Sequence, residues 1–214
     1  MSLPVTVVHR SDSSGTTANF TAFLANDDAE LGRLVGQGKA VDWVTGQGAD
    51  GNDGVATTVK QTPGAVGYVE LTYALDQRLP VADVRNIAGR FVTPTPETVA
   101  AAAEDMSLAS AGDFARSLLY TTGRNAYPIS SYTYLLVFIR QQDAGKGRTL
   151  SSLLQYIAGP GQASVGRLHY TPIPRELRES VAAKIRLLHD PNGNLLAPRC
   201  PAAAAQRLGR RASL

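Results

Sequence analysis

Hydrophobic and polar positions alternate in short blocks along the chain, and the blocks predict strands interleaved with helices. Val5 to His9 reads as a short buried strand closed by a polar cluster. A helix is predicted to start near Ser14, with Phe20, Phe23 and Leu24 spaced to form its core face. Val41, Trp43 and Val44 suggest a second strand, followed by a glycine-rich loop over 46–54. Asn52 or Asp53 is a credible N-cap for a helix carrying Val55 and Val59, which should stop at Pro63-Gly64. Val66 to Leu71 reads as strand and Tyr73-Ala-Leu as a helical turn. Asn86 to Val92 reads as extended, and Pro96 to Glu104 as a helix with proline in its first turn. Tyr132 to Ile139 carries the strongest strand signal. Helices follow at Leu150–Ile157 and Glu176–Leu188, the latter with Leu177, Val181, Ile185 and Leu188 on one face. This alternation implies an α/β architecture without internal repeats.

Composition adds little until the location of charge is considered. The 214 residues carry a net charge of +3 and a pI near 9.1. Arg199, Arg207, Arg210 and Arg211 lie in residues 196–214, which hold no acidic residue; the other 17 basic residues face 18 acidic ones. The basic balance belongs to a low-complexity tail expected to be disordered, and a nucleic-acid partner is not expected. The single cysteine, Cys200, also lies in the tail, so no intramolecular disulfide is possible. No run approaches the ~18 apolar residues of a membrane helix, and the N-terminus lacks the pattern of a signal peptide. Arg210-Arg211-Ala-Ser213 has the spacing a basophilic kinase reads, but chance in an arginine-rich tail is the better account.

Candidate chemistry concentrates between the first strand and the first helix, in Arg10-Ser-Asp12-Ser-Ser14-Gly15-Thr16-Thr17. A strand ending in a polar turn that opens into a helix suits an oxyanion, because the first helical N–H groups lack intrahelical acceptors and the helix dipole adds positive potential. Gly15 permits close backbone approach, and Ser14, Thr16 and Thr17 offer hydroxyl donors. Arg10 can present a planar fork to two oxygens, with Asp12 placed to orient it. On spacing alone, a plain capped helix with a solvated Arg10 is an equally good account. The glycine loop lacks the Gly-Lys-Ser/Thr ending of a nucleotide P-loop and reads as a structural turn. His9, His169 and His189 show no metal spacing, and Gly-x-Ser-x-Gly is absent, so neither a metal, a cofactor nor an enzyme is expected.

The same stretch, with Phe20 and Leu24, resembles the phosphate-contacting motif of the periplasmic phosphate-binding proteins of ABC transporters. Three further matches follow in order: Gly48-Ala-Asp-Gly51-Asn52-Asp53-Gly54-Val55-Ala56, Pro63-Gly64-Ala65-Val66-Gly67-Tyr68-Val69-Glu70, and Tyr127-Pro128-Ile129-Ser130. The resemblance covers roughly residues 4 to 190. It implies a type II periplasmic-binding-protein-like α/β fold, with one lobe mostly present and the other largely missing. Residues 1–126 would form the anion-motif lobe, 127–195 a return segment of the other lobe, and 196–214 a basic tail. By the resemblance, Arg10, Ser14, Gly15 and Thr16 contact inorganic phosphate and Asp12 holds Arg10. The implied function is reversible capture of phosphate for an ABC permease, outside the cytoplasm. In the family, an N-terminal segment supplies a carboxylate that accepts a hydrogen bond from protonated phosphate, and no residue here is assigned that role. Another chain would then supply the missing half, or the product is a remnant or interaction domain whose ligand binding has lapsed.

Overall fold

The computed structural model describes residues 3–104, 114 and 117–197. The expectations for Cys200 and for the basic residues from Arg199 onward fall outside that range. Two compact units emerge: Met1–Thr133 with Ser164–Pro174, and Tyr134–Ala163 with Arg175–Leu214. Division at 126/127 on sequence grounds assigns residues 164–174 to the second part, whereas their contacts lie in the first unit.

The first unit is built on a three-stranded parallel sheet in the order β2-β1-β3. β1 (Thr6–Arg10) is central and places Val8 at 0% exposure. It pairs with β2 (Gln47–Ala49) through Val8↔Gln47 and Arg10↔Ala49, and with β3 (Ala65–Gly67) through Thr6↔Ala65 and Val8↔Gly67. Helices α1 (Gly15–Asp27) and α2 (Ala29–Val35) connect β1 to β2, and α3 (Gly51–Gln61) connects β2 to β3. Because parallel neighbours need a crossover, every strand here ends at the same edge of the sheet, and α1 and α3 both begin there.

α3 lies against β1 and β3 and buries Val55 and Ala56. Gly67 permits that approach, since a Cβ there would sit 2.9 Å from the Val8 carbonyl and 3.1 Å from Val55 Cγ1. α3 ends at Thr62, before Pro63-Gly64 as expected; Gly64 turns the chain at φ +80. Beyond α4 (Leu71–Asp76), β4 (Val84–Arg85) and β5 (Phe91–Val92) form an antiparallel hairpin. The extended piece expected over Asn86 to Val92 is thus a turn and a two-residue strand. Buried Asn86 donates to the carbonyls of Arg124 and Ala126 at 3.1 Å each. α5 (Pro96–Glu104) has its expected bounds. Residues 164–174 fasten to this unit through Thr72 to the Leu168 carbonyl, Tyr170 to Glu70, and Thr171 to the Pro96 carbonyl, at 3.1, 3.0 and 2.7 Å.

In the second unit α6 (Ala144–Ala158) packs against α7 (Arg175–Ile185). Ala158, Ile185, Leu188 and Leu196 form its core, flanked by Val137, Leu154 and Val181. Leu196, grouped with the tail on sequence, is therefore buried. α6 starts six residues before Leu150 because Asp143 caps it, accepting from Lys146 N at 2.9 Å.

Two strand expectations fail. Val41–Val44 is not a strand: β2 lies in the glycine stretch after it, where Gly46 can approach the Val7 carbonyl. Trp43 instead stacks on other rings. Tyr132–Ile139 joins neither sheet formed by the described residues, and Leu136 and Phe138 are 97% and 87% exposed.

Candidate anion site

The ends of β1, β2 and β3 deliver three sets of side chains to one place. β1 contributes Arg10 as its last residue, and the turn after it contributes Asp12 and Ser14. The start of α3 contributes Gly51 and Asn52, and the chain leaving β3 contributes Tyr68 and Glu70. Strand C-terminal ends flanked by helix N-termini are where open α/β sheets bind ligands.

Ser14 is the N-cap of α1 in extended conformation, φ −140 and ψ 135. Its Oγ accepts from Thr16 N at 3.1 Å and Thr17 N at 3.3 Å. Its own N–H donates to the Lys39 carbonyl at 2.8 Å, which fixes the turn from outside. The hydroxyl proton of Ser14 remains available to an acceptor. The first α-helical bond runs from Ala18 N to the Ser14 carbonyl, so the Gly15 N–H precedes the helical ladder. A Cβ on Gly15 would meet nothing within 4 Å, so the space beside its α-carbon is open. No acidic residue occupies the first turn of α1 to offset the dipole.

Arg10 is held on two sides. Nε and Nη2 donate to Asp12 Oδ1 and Oδ2 at 2.6 and 2.5 Å, a bidentate pair, while Nη1 donates to Asn52 Oδ1 at 3.0 Å. The Arg10 side chain is 9% exposed and that of Asp12 31%. Three of five guanidinium N–H groups are committed, and two remain. The hydrogen bonds from Arg10, assisted by the Gly51 N–H, hold the Asp12 carboxyl well below the usual carboxylate range against the opposing effect of desolvation. The same pairing raises the Arg10 pKa, so both charges persist at any ordinary pH. A solvated Arg10, the alternative open on sequence, is not what the structure has.

Thr17 behaves differently from Thr16. It is 1% exposed, and its hydroxyl pairs with Tyr68 OH at 2.8 Å, so it faces away from solvent. Tyr68 OH also accepts from the Arg10 backbone N–H at 3.2 Å. The Tyr68 ring stacks on Phe20 at 4.5 Å and tilts against Trp43 at 5.7 Å, and Trp43 in turn stacks on His9 at 5.3 Å. This aromatic column fixes the strand end on which Arg10 sits. Thr16 stays partly open and donates to Glu70 Oε1 at 3.4 Å.

The structure thus gathers Arg10, Asp12, Ser14, Gly15 and Thr16, and adds Asn52, Tyr68 and Glu70, which sequence reasoning left unassigned. The expected capping by Asn52 or Asp53 does not occur. Asp50 caps α3 by position, without a side-chain hydrogen bond, while Asn52 turns to Arg10. The signal that would have found all three is their place just beyond the ends of parallel strands. Among the described residues no cluster of three His, Cys, Asp or Glu suits a metal ion. No described helix is long and apolar enough to cross a membrane.

Comparison with known proteins fits this geometry. A family profile described as PBP superfamily domain matches residues 2–160. The phosphate-binding protein PstS of Xylella fastidiosa is 37% identical over 179 residues, covering 84% of this chain and 49% of that protein. PstS of Methanocaldococcus jannaschii is 39% identical over 173 residues, covering 74% and 44%. The chain therefore spans about half the length of these curated relatives. Among solved structures, a high-affinity periplasmic phosphate-binding protein bound with phosphate superposes with a TM-score of 0.60 at 26% identity, covering 84% of this chain and 57% of that one. A human phosphate-binding apolipoprotein gives 0.65 at 21% identity, over 84% and 58%, a likeness of fold alone. The fold is accordingly of the periplasmic-binding-protein kind, and the chain belongs to the PBP superfamily domain family.

Proposed function

We propose that this chain captures inorganic phosphate reversibly, as part of the solute-binding component of an ABC phosphate importer. In this reading Arg10, Ser14, Gly15 and Thr16 bind the anion, Asp12 holds Arg10, and the partner that receives the phosphate is a membrane permease on the extracytoplasmic side. Residues 1–126, with 164–174 fastened to them, make the anion-motif lobe, and the remainder of 127–195 the return segment. The role is binding without bond making or breaking.

The observation that carries it is the Arg10 guanidinium. It is 9% exposed and held at three nitrogens, two of its N–H groups are uncommitted, and the first turn of the helix that follows its strand carries no acidic residue of its own. A buried, preorganised fork of this kind suits a tetrahedral oxyanion, since little side-chain order is lost when it binds. The names of the relatives support phosphate as that anion. Calorimetric titration of the full chain with inorganic phosphate is the test. A saturable one-site isotherm is expected. No heat and no thermal shift at millimolar phosphate would overturn the reading and favour a domain whose ligand binding has lapsed.

A further inference from the structure

We propose that Asn52 is a positioning residue of the anion site: a neutral acceptor that fixes the Arg10 guanidinium without adding negative charge. The inference deepens the phosphate-binding reading and rests on it for its ligand.

A carboxylate pair alone leaves the guanidinium free to move with its partner. Asp12 lies two residues from Arg10 on the same turn, and its side chain is 31% exposed, so the two could rock together. The contact from Asn52 comes from a different element. Asn52 is the second residue of α3, 42 positions further along the chain, and its Oδ1 takes Nη1 at 3.0 Å. An arginine nitrogen has only donors, so the amide must present its oxygen. Gly51, the residue before it, donates its N–H to Asp12 Oδ1 at 3.2 Å. Arg10, Asp12, Gly51 and Asn52 therefore form a ring of hydrogen bonds, closed by the Gly51–Asn52 peptide bond, that joins the end of β1 to the start of α3. Within that ring the guanidinium plane is set by two elements at once, so its two uncommitted N–H groups, one on each terminal nitrogen, are fixed with it.

The chemistry of the amide matters as much as its position. Arg10 and Asp12 together are close to neutral, so the attraction for an anion comes from the exposed edge of the fork and the helix end. An aspartate at 52 would keep an acceptor near Nη1 but give the site a net negative charge against its own ligand. Asparagine orients and does not repel.

The test compares Asn52→Ala, Asn52→Asp, Arg10→Lys and the Asn52→Ala/Arg10→Lys double variant of the full chain, titrated with inorganic phosphate. Asn52→Ala should weaken binding about 5- to 10-fold, in the range of coupled contacts. Asn52→Asp should weaken it at least as much while leaving the melting temperature at or above that of the parent. A residue with a merely structural role would not separate affinity from stability in that way. Because Asn52 acts through Arg10, the double variant should bind within about 2-fold of Arg10→Lys alone. Side-chain nitrogen NMR of the ligand-free chain reads the contact itself, with hindered Nη1 rotation expected in the parent and free rotation in Asn52→Ala. Parent-like affinity in Asn52→Ala, additive losses in the double variant, or a freely rotating Nη1 in the parent would each overturn the inference. A parent that shows the hindered nitrogen but no phosphate binding would sink the functional reading and leave the positioning intact.

Discussion

Arg10→Ala isolates the term on which the proposed capture depends. The side chain is 9% exposed, and three of its N–H groups are spent on Asp12 and Asn52. Two N–H groups are left for a ligand. Hydrogen bonds to charged groups contribute about 1.5–3 kcal/mol each, and neighbouring ones are not additive. A floor of about 2 kcal/mol on the pair is therefore conservative, and it corresponds to roughly 30-fold in Kd. Truncation has a second effect of the same sign. It leaves the Asp12 carboxylate without its counter-charge, still held by the Gly51 N–H at 3.2 Å and now facing the anion. The measured loss should thus exceed the floor, and Arg10→Ala/Asp12→Ala should bind more tightly than Arg10→Ala alone. Calorimetry with phosphate at fixed ionic strength reads both effects, and a thermal melt of each variant controls for folding. If Arg10→Ala titrates like the parent, the anion does not sit at this fork and the site assignment is wrong.

Ser14→Ala removes the acceptor of two amide protons at a position 5% exposed, and should cost about 1 kcal/mol of stability in urea denaturation; an unchanged midpoint would mean that the cap is idle. Tyr68→Phe strands the Arg10 N–H and the Thr17 hydroxyl together, so a loss of roughly 1–3 kcal/mol is expected by the same method, and no loss would show both groups to be satisfied elsewhere. Asp12 has a folded-state pKa below its ordinary value of about 3.9, so its contribution is fully present above that value and is lost as pH falls toward the folded one. The stability difference between parent and Asp12→Asn should be flat from pH 8 to about 5 and shrink below about 4; a difference that instead grows on acidification refutes the pairing. Phosphate competed against sulfate should show weak discrimination, and strong preference for phosphate would implicate an acceptor such as Glu70, whose Oε1 lies 3.4 Å from Thr16 Oγ1.

What the sequence made legible was local in origin. The Ser14 cap, the Arg10–Asp12 pair and the bounds of α5 each depend on residues a few positions apart, so spacing and residue type suffice. Asn52 and Tyr68 reach Arg10 from 42 and 58 positions away, brought there by the register of parallel strands that no local pattern encodes. Trp43 departs from its strand expectation for a related reason: its apolarity serves stacking on His9 and a tilted contact with Tyr68, and the strand lies instead in glycines that fit against β1.

Residues 132–139 carry the argument furthest, because there the pattern was strong and the expected element is absent. Burial is confined to one point: Val137 packs against the core of Ile185 and Leu188, while Leu136 and Phe138 on either side are 97% and 87% exposed. Leu135 and Ile139, which would share the face of Val137 in a strand, are 62% and 52% exposed, so the burial does not extend along one face. At the segment's end the His189 N–H reaches the Ile139 carbonyl at 3.0 Å and the Gln141 N–H reaches the His189 carbonyl at 2.8 Å. A helix can complete its hydrogen bonds within itself, but a strand's donors and acceptors are completed by a neighbour. An apolar run such as Tyr132-Thr-Tyr-Leu-Leu-Val-Phe-Ile139 therefore states a demand for burial on both faces, not a conformation. Where no described strand lies alongside, the demand goes unmet and the same residues become exposed hydrophobic surface.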